Sequence, residues 1–193
     1  MIVELDNYFT SKGLSDADAQ AVAAHFTERK VPRSEVLETE GKVCKHFYYV
    51  KQGILRLYEI DNRGNDVTGY FALEGTLMTA LPSFVLQKPS RDFFVALEPS
   101  VIGVIGRDTF FELIRQYPAF AGLYNRLMEF AFIHSQMRIY SFLGMQGMEK
   151  LQWVMEHEPK LLQRVSSKAV ASYLGMTNST LSKLRSKLDK GLS

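Results

Sequence analysis

Along the chain the spacing of apolar residues changes period, and each change predicts a change of element. Ser15 and Asp16 precede Ala17, Val22 and Phe26, which predicts a capped amphipathic helix over residues 14 to 30, ended by Pro32. From Val36 to Ile105 the texture becomes a series of short β-type runs divided by turn residues: VLETEGK, HFYYVKQG, ILRLYEI, DNRGND, VTGYFALEG and FFVALEPSVIGVI. Aromatic and β-branched side chains concentrate in these runs, as a pleated, half-buried surface requires. No long helical crossover separates them, so the spacing predicts an antiparallel sandwich or roll, not βαβ units. DNRGN, between ILRLYEI and VTGYF, reads as a hairpin turn.

After Arg107 the period becomes helical. Asp108 is expected to cap a short FFELIRQ helix, which Pro118 interrupts. Phe120, Leu127, His134 and Ser141 then fall seven apart, while Leu123, Phe130 and Met137 fall three residues after the first three of them. That seam has two readings, packing on the β-domain of its own chain or packing on a second copy across a two-fold axis. Gly144 and Gly147 break the helix and mark a boundary. Residues 148 to 158 read as one more helix, stopped by Pro159.

The next stretch, VSSKAVASYLGMTNSTLSKLRSKL, is the most specific in the chain. Ser166 or Ser167 can cap a helix running to Leu174, Gly175 can take the positive φ of a tight turn, and Thr177 can cap a second helix from Asn178 to Leu188. Ala171 places a small side chain where the helices cross, and Val170, Leu174, Met176, Leu181 and Leu184 fall where they bury each other. This is the helix-turn-helix pattern. At 100° per residue, Leu181, Leu184 and Leu188 share one side of the second helix. Opposite lie Ser179, Lys183 and Ser186, flanked by Asn178 and Ser182. Short polar side chains on an outward face suit base edges in a major groove, which makes Asn178, Ser179, Ser182 and Lys183 the candidate base readers. Lys168, Lys187 and Lys190, with the hydroxyls of Ser167, Thr177 and Thr180, suit phosphates. Helical hairpins with a glycine turn also occur in proteins that never meet DNA, so charge has to arbitrate.

The 193 residues carry 23 basic and 21 acidic side chains, a net charge of +2, too small to mark the whole chain as a polycation. The distribution is uneven: residues 1 to 140 hold 15 basic and 17 acidic side chains, residues 141 to 193 hold 8 and 4. From Arg164 on, six basic residues face the single acid Asp189. The basic excess coincides with the capping and small-residue spacing, and together they favour DNA reading over a purely structural hairpin. Cys44 is the only cysteine, which excludes an intrachain disulfide, a four-cysteine zinc site and a cysteine-ligated iron–sulfur cluster, and fits a reducing cytoplasm. Cys44 and His46 could share a strand face as metal or haem ligands, but no third ligand is visible and a lone strand cysteine is usually a small buried hydrophobe. The start MIVELDNYFTSKG lacks a basic segment before an apolar run, and no apolar stretch of membrane-spanning length occurs, so neither secretion nor membrane insertion is expected.

With these residues in view, the chain resembles the superfamily of bacterial regulators that includes the cyclic-AMP receptor protein and the fumarate-nitrate regulator. VLETEGKVCKHFYYVKQGILRLYEIDNRGNDVTGYF is similar through its tyrosine-rich strand, Gly53 and the Gly64 hairpin. The resemblance implies an α+β chain: an antiparallel β-roll of the cyclic-nucleotide-binding type (a double-stranded β-helix) over residues 1–117, a dimerisation helix over 118–143 and a helix-turn-helix domain over 144–193. It also implies a homodimer on a roughly palindromic operator, with RNA polymerase a further partner, and it makes Phe120, Leu123, Leu127, Phe130, His134 and Met137 the dimer seam. In cyclic-AMP-binding members a Gly-Glu pair and a later Arg-Ser or Arg-Thr pair make the phosphate pocket. Here the corresponding stretches read Leu73-Glu74-Gly75-Thr76 and Pro89-Ser90-Arg91-Asp92, both pairs in reversed order. Asp92 beside Arg91 would oppose an anion. Glu74, Gly75, Thr76, Ser90 and Arg91 are the effector-pocket candidates, but Arg91 is expected to be an ion-pair residue, cyclic AMP is disfavoured and no cofactor is expected. The family's wing normally follows the recognition helix; this sequence stops at Asp189-Lys190-Gly191-Leu192-Ser193, so the wing is expected to be absent or a stub. The competing reading is a nucleotide-sensing or protein-interaction module without DNA function. An enzyme finds no support, since no phosphate loop, nucleophile elbow, metal-ligand cluster or telling carboxylate pair is present.

Overall fold

A computed structural model of the chain describes residues 4–191, and of residues 141–143 and 189–191 the backbone alone. Two short helices, α1 (Leu5–Ser11) and α2 (Asp16–Ala23), precede the strands β1 (Thr27–Val31), β2 (Val36–Glu38), β3 (His46–Gln52), β4 (Leu55–Ile60), β5 (Asp66–Ala72) and β6 (Thr76–Met78). Helix α3 (Leu81–Leu86) intervenes before β7 (Phe93–Ala96) and β8 (Ser100–Gly106). The chain then turns helical through α4 (Arg107–Gln116), α5 (Pro118–Gly144), α6 (Gly147–His157), α7 (Pro159–Arg164), α8 (Ser167–Tyr173) and α9 (Asn178–Gly191). It divides into two compact units. One comprises the chain up to Glu59 with Tyr70–Glu129; the other comprises Ile60–Gly69 with the chain from Phe130 on.

The strands form a roll of two four-stranded sheets, ordered β1-β8-β3-β6 and β2-β7-β4-β5, which lies in the first unit apart from Ile60 of β4 and Asp66–Gly69 of β5. The alternation of β-branched and aromatic residues sends Tyr48, Val50, Leu55, Phe94 and Ile102 into one buried cluster, so side chains fill the space between the sheets. A second cluster is aromatic: Phe47 stacks on Phe110 at 4.5 Å, and Phe9 and Phe110 meet Phe120 edge-on at 5.6 and 5.4 Å. Between β3 and β4 the chain reverses at Gly53, with φ +102°. A Cβ there would lie 2.1 Å from the Ser100 hydroxyl, so only glycine fits.

Several local expectations fail here for identifiable reasons. The helix expected over 14 to 30 ends at Ala23; Ser15 does cap it, accepting the Asp18 N–H at 3.2 Å. Residues 27–31 instead form β1, paired with β8 from Thr27↔Val104 to Val31↔Ser100. Non-local pairing has overridden a weak local preference. Asp108 is not a cap. The Arg107 N–H bonds to the Lys45 carbonyl, so the helix starts directly from β8 at Gly106, and Asp108 sits exposed in the first turn, 3.4 Å from Arg107. Pro159 stops one helix and opens another, as the first residue of α7. Helices α1 and α3 escaped the pattern because each is short and anchored by only two buried residues, Tyr8 and Phe9 or Ser83 and Phe84.

In the second unit, Gln146 and Glu149 form a reciprocal capping box at the start of α6. Gly147 lets α9 approach closely: a Cβ there would lie 3.1 Å from Leu184 Cδ1. The β4–β5 turn is closed by Asp61, whose carboxylate accepts the N–H groups of Arg63 and Asn65 at 2.8 Å; these bonds hold its pKa below the ordinary value. No helix among the described residues is long and apolar enough to cross a membrane.

Candidate nucleic-acid interface

The helix-turn-helix is built as its spacing predicts. Ser166 caps α8 by accepting the Ala169 N–H at 3.3 Å. The helix ends in a Schellman closure, with the Gly175 N–H donating to the Ser172 carbonyl and the Met176 N–H to that of Ala171. Gly175 supplies φ +66°. Thr177 opens α9 by accepting the Thr180 N–H at 3.1 Å. Val170, Ala171, Leu174 and Leu181 are buried, with Met176, Leu184 and Leu188 half-buried beside them.

Asn178, Ser179, Ser182, Lys183, Ser186 and Lys187 are all exposed, as are Lys168, Thr177 and Thr180. The hydroxyls of Thr177, Ser179 and Thr180 form a small cluster at 2.8 to 2.9 Å, which orders the start of the helix. Ser167 is different: its hydroxyl accepts a bond from Arg185 Nη1 at 3.0 Å. Arg185 therefore ties α9 to the start of α8, and its Nη2 is buried without a hydrogen-bond partner among the described residues. Arg185 lies four residues after Leu181, on the same helix side, so its inward position was readable from the period. The side chain of Lys190 lies outside the described residues.

Sequence reasoning missed a polar junction in this unit. The Ser172 hydroxyl accepts the Thr68 N–H at 2.9 Å and donates to the Asp66 carbonyl, so α8 grips the start of β5. Arg138, on α5, donates to the carbonyls of Gly69, Thr68 and Tyr173, and its guanidinium lies 4.7 Å from the centre of the Tyr173 ring.

The seam of α5 divides. Phe120 and Leu123 are buried in the aromatic core of the first unit and Leu127 packs against it, so the first two have no surface to offer a partner. Phe130 and Met137 are each 57% exposed, and Phe132, Ile133, Ile139 and Tyr140 are also more than half exposed. His134 is half-buried; burial, and then the charge of Arg138, hold its pKa below the ordinary value. The side chain of Ser141 lies outside the described residues.

The effector-pocket candidates have other partners. Glu74 accepts the Gly53 N–H at 3.0 Å. The Gly75 N–H donates to the Val50 carbonyl, the Thr76 N–H to that of Leu73 and the Ser90 N–H to that of Lys42. Ser90 is buried and its hydroxyl accepts the Asp92 N–H at 2.9 Å. Arg91, with its side chain 80% exposed, pairs with Glu59 at 3.4 Å. Burial, then Glu59, pushes the Asp92 pKa up. Cys44 and His46 diverge: the thiol is buried against Thr79, with its pKa raised by burial, while the His46 ring lies 3.4 Å from Glu38. No group of three metal-ligating side chains occurs among the described residues.

Residues 28–117 match the cyclic nucleotide-binding domain family. The anaerobic regulatory protein of Pasteurella multocida is 27% identical over 182 residues, which cover 86% of this chain and 65% of that protein's length. Among solved structures, FixK2 from Bradyrhizobium japonicum superposes with a TM-score of 0.73 at 20% identity, covering 86% of this chain and 85% of its own. A protein from Eubacterium rectale described as a transcriptional regulator of the Crp/Fnr family gives 0.72 at 16%, covering 96% and 88%. The β-roll, the long helix α5 and the terminal helices thus share the fold of these solved structures, and within it residues 28–117 match the cyclic nucleotide-binding domain family.

Proposed function

We propose that the protein is a homodimeric transcription regulator, not an enzyme, that reads double-stranded DNA with α9. One observation carries the reading. A capped and well-buried helix-turn-helix presents Ser179 and Lys183 to solvent on the face opposite Leu181, flanked by the exposed Asn178 and Ser182. Residues 1–117 form the sensing part, 118–143 the joining helix and 144–193 the DNA-reading part. A second copy covers the apolar surface of α5, where Phe130, Ile133, Met137 and Tyr140 recur at helical spacing, more than half exposed. Lys168, Lys187, Thr177 and Thr180 hold phosphates, while Ser167 is positioned for one by Arg185. The protein acts in the cytoplasm, where RNA polymerase is a further partner.

Signal transfer is a population shift between DNA-competent and incompetent dimers, and an effector acts only through its difference in affinity for the two. Cyclic AMP is not that effector in this reading. The N–H groups of Gly75, Thr76 and Ser90 already have acceptors and Arg91 faces Glu59, so no converging donors await a cyclic phosphate. Binding to double-stranded DNA measured against salt concentration tests the function. Phosphate contacts give a steep fall in affinity with salt, and a module that only packs gives none.

A further inference from the structure

Residues 165 to 188 carry Lys168, Lys183, Arg185 and Lys187 and no acidic side chain. The three lysines stand in solvent, whereas the Arg185 guanidinium turns into the junction of α8 and α9. Its Nη1 donates to the Ser167 hydroxyl at 3.0 Å, while among the described residues its Nη2 is buried without a hydrogen-bond partner and no ion pair offsets its charge. A buried donor left unmet costs stability that an apolar side chain of similar length would not, so this arrangement is not the one that best stabilises the hairpin. The group it touches indicates what it serves. A guanidinium has donors only, so the Ser167 hydroxyl accepts. Its own O–H then stays free to donate outward, from an oxygen polarised by the cation behind it, and no described acceptor takes it. Ser167 is half-buried, and the exposed Lys168 follows it. At 100° per residue Arg185 stands about 40° from Leu181, on the side of Asn178 and Ser182, so the Ser167 hydroxyl it holds lies towards that flank of the reading face.

We propose that Arg185 is a positioning residue for DNA: acting through Ser167, it places an O–H backed by the guanidinium's charge against a phosphate beside the face that reads the bases. This role rests on the DNA-reading proposal and adds to it a backbone contact whose strength is set by an arginine that touches no phosphate itself. A side chain that serves the ligand and not its own fold separates affinity from stability. A tie that only holds α8 to α9 would move the two together.

The experiment compares the full-length protein with Arg185→Met, Ser167→Ala, the double variant and Arg185→Lys. Each is followed by thermal unfolding and by titration with a mixed-sequence duplex of about 30 base pairs at several salt concentrations, since a phosphate contact does not depend on sequence. Arg185→Met should unfold at the same temperature or higher, because the unmet donor is gone, yet bind the duplex about tenfold more weakly and with a shallower salt dependence. Ser167→Ala should also bind about tenfold more weakly but unfold earlier, since it leaves the whole guanidinium without an acceptor. Adding Arg185→Met to it should restore the unfolding temperature and not the affinity. Arg185→Lys, which keeps a charge and a donor, should bind within about threefold of the unaltered protein. Unchanged affinity in Arg185→Met overturns the proposal. So does affinity that follows the unfolding temperature through the series, or single losses that multiply in the double variant. An unaltered protein that binds no duplex overturns the DNA reading, and this role with it.

Discussion

The first and second halves of α5 share one periodic pattern and meet opposite fates. Phe120 and Leu123 bury themselves in the core of their own unit, whereas Phe130 and Met137, on the same seam, stand more than half exposed. A heptad pattern states that a helix face needs a partner without saying which one. The aromatic cluster of Phe9, Phe47 and Phe110 supplies the partner for the first half. The proposed second copy supplies it for the other half, so the dimer contact begins beyond Leu127 and is shorter than the seam.

The same contrast separates two polar regions. In the roll, the groups that could have met a phosphate are bonded to each other or to neighbouring backbone: Glu74 to Gly53, Ser90 to Asp92, Arg91 to Glu59. On α9, the side chains of Asn178, Lys183 and Lys187 project into solvent. A polar side chain already satisfied within the fold loses that bond before it gains a ligand's, while an exposed one only exchanges water. The difference favours α9 over the Glu74–Arg91 region as a place where a polyanion is recognised.

Substitutions can break each contrast. Phe130→Glu should have the largest effect, dissociating the dimer and weakening binding to a two-fold site by about 100-fold or more, as sedimentation and titration on the same sample would record. Phe120→Glu should instead unfold the first unit, since its side chain is already enclosed. Leu181→Ala, between the two helices, should cost about 2 to 5 kcal/mol and abolish binding to all DNA while the roll stays folded, read by denaturation and by the circular dichroism of the strands. Lys183→Ala should relax preference at one defined base pair by about 1 to 3 kcal/mol, whereas Lys187→Ala should weaken every sequence alike and lower the salt slope by about one. Arg91→Ala should be the smallest, within about 0.5 kcal/mol in stability, because the ion pair it removes is exposed. A cyclic-nucleotide response that vanished in Arg91→Ala would instead place a phosphate pocket at Arg91 and contradict the proposed reading of the roll.

What was legible in the chain follows the range of the interactions. The helix-turn-helix could be read because Ser166, Gly175, Thr177 and the buried Val170, Leu174 and Leu181 act within a few residues of one another. The DNRGN turn was readable for the same reason, through Asp61 and the positive φ of Gly64. Strand β1 was not, since its five residues are strand only through pairing with β8, far along the chain. Nor was the grip of Ser172 on Thr68, which joins positions 104 residues apart. Arg185 is the instructive case between them. It entered only the count of basic residues and was given no role, and its spacing from Leu181 was the signal that it turns inward to Ser167.

The central claim is that two copies of α9 read a defined sequence. Selection of bound fragments from genomic DNA by the purified protein, with and without cyclic nucleotides, tests it most directly. The account predicts recovery of a short site with two-fold symmetry, its half-sites about one helical turn apart, equally enriched in both arms. Recovery only with cyclic nucleotide would contradict the reading of the roll, and no enrichment in either arm would contradict the reading of α9.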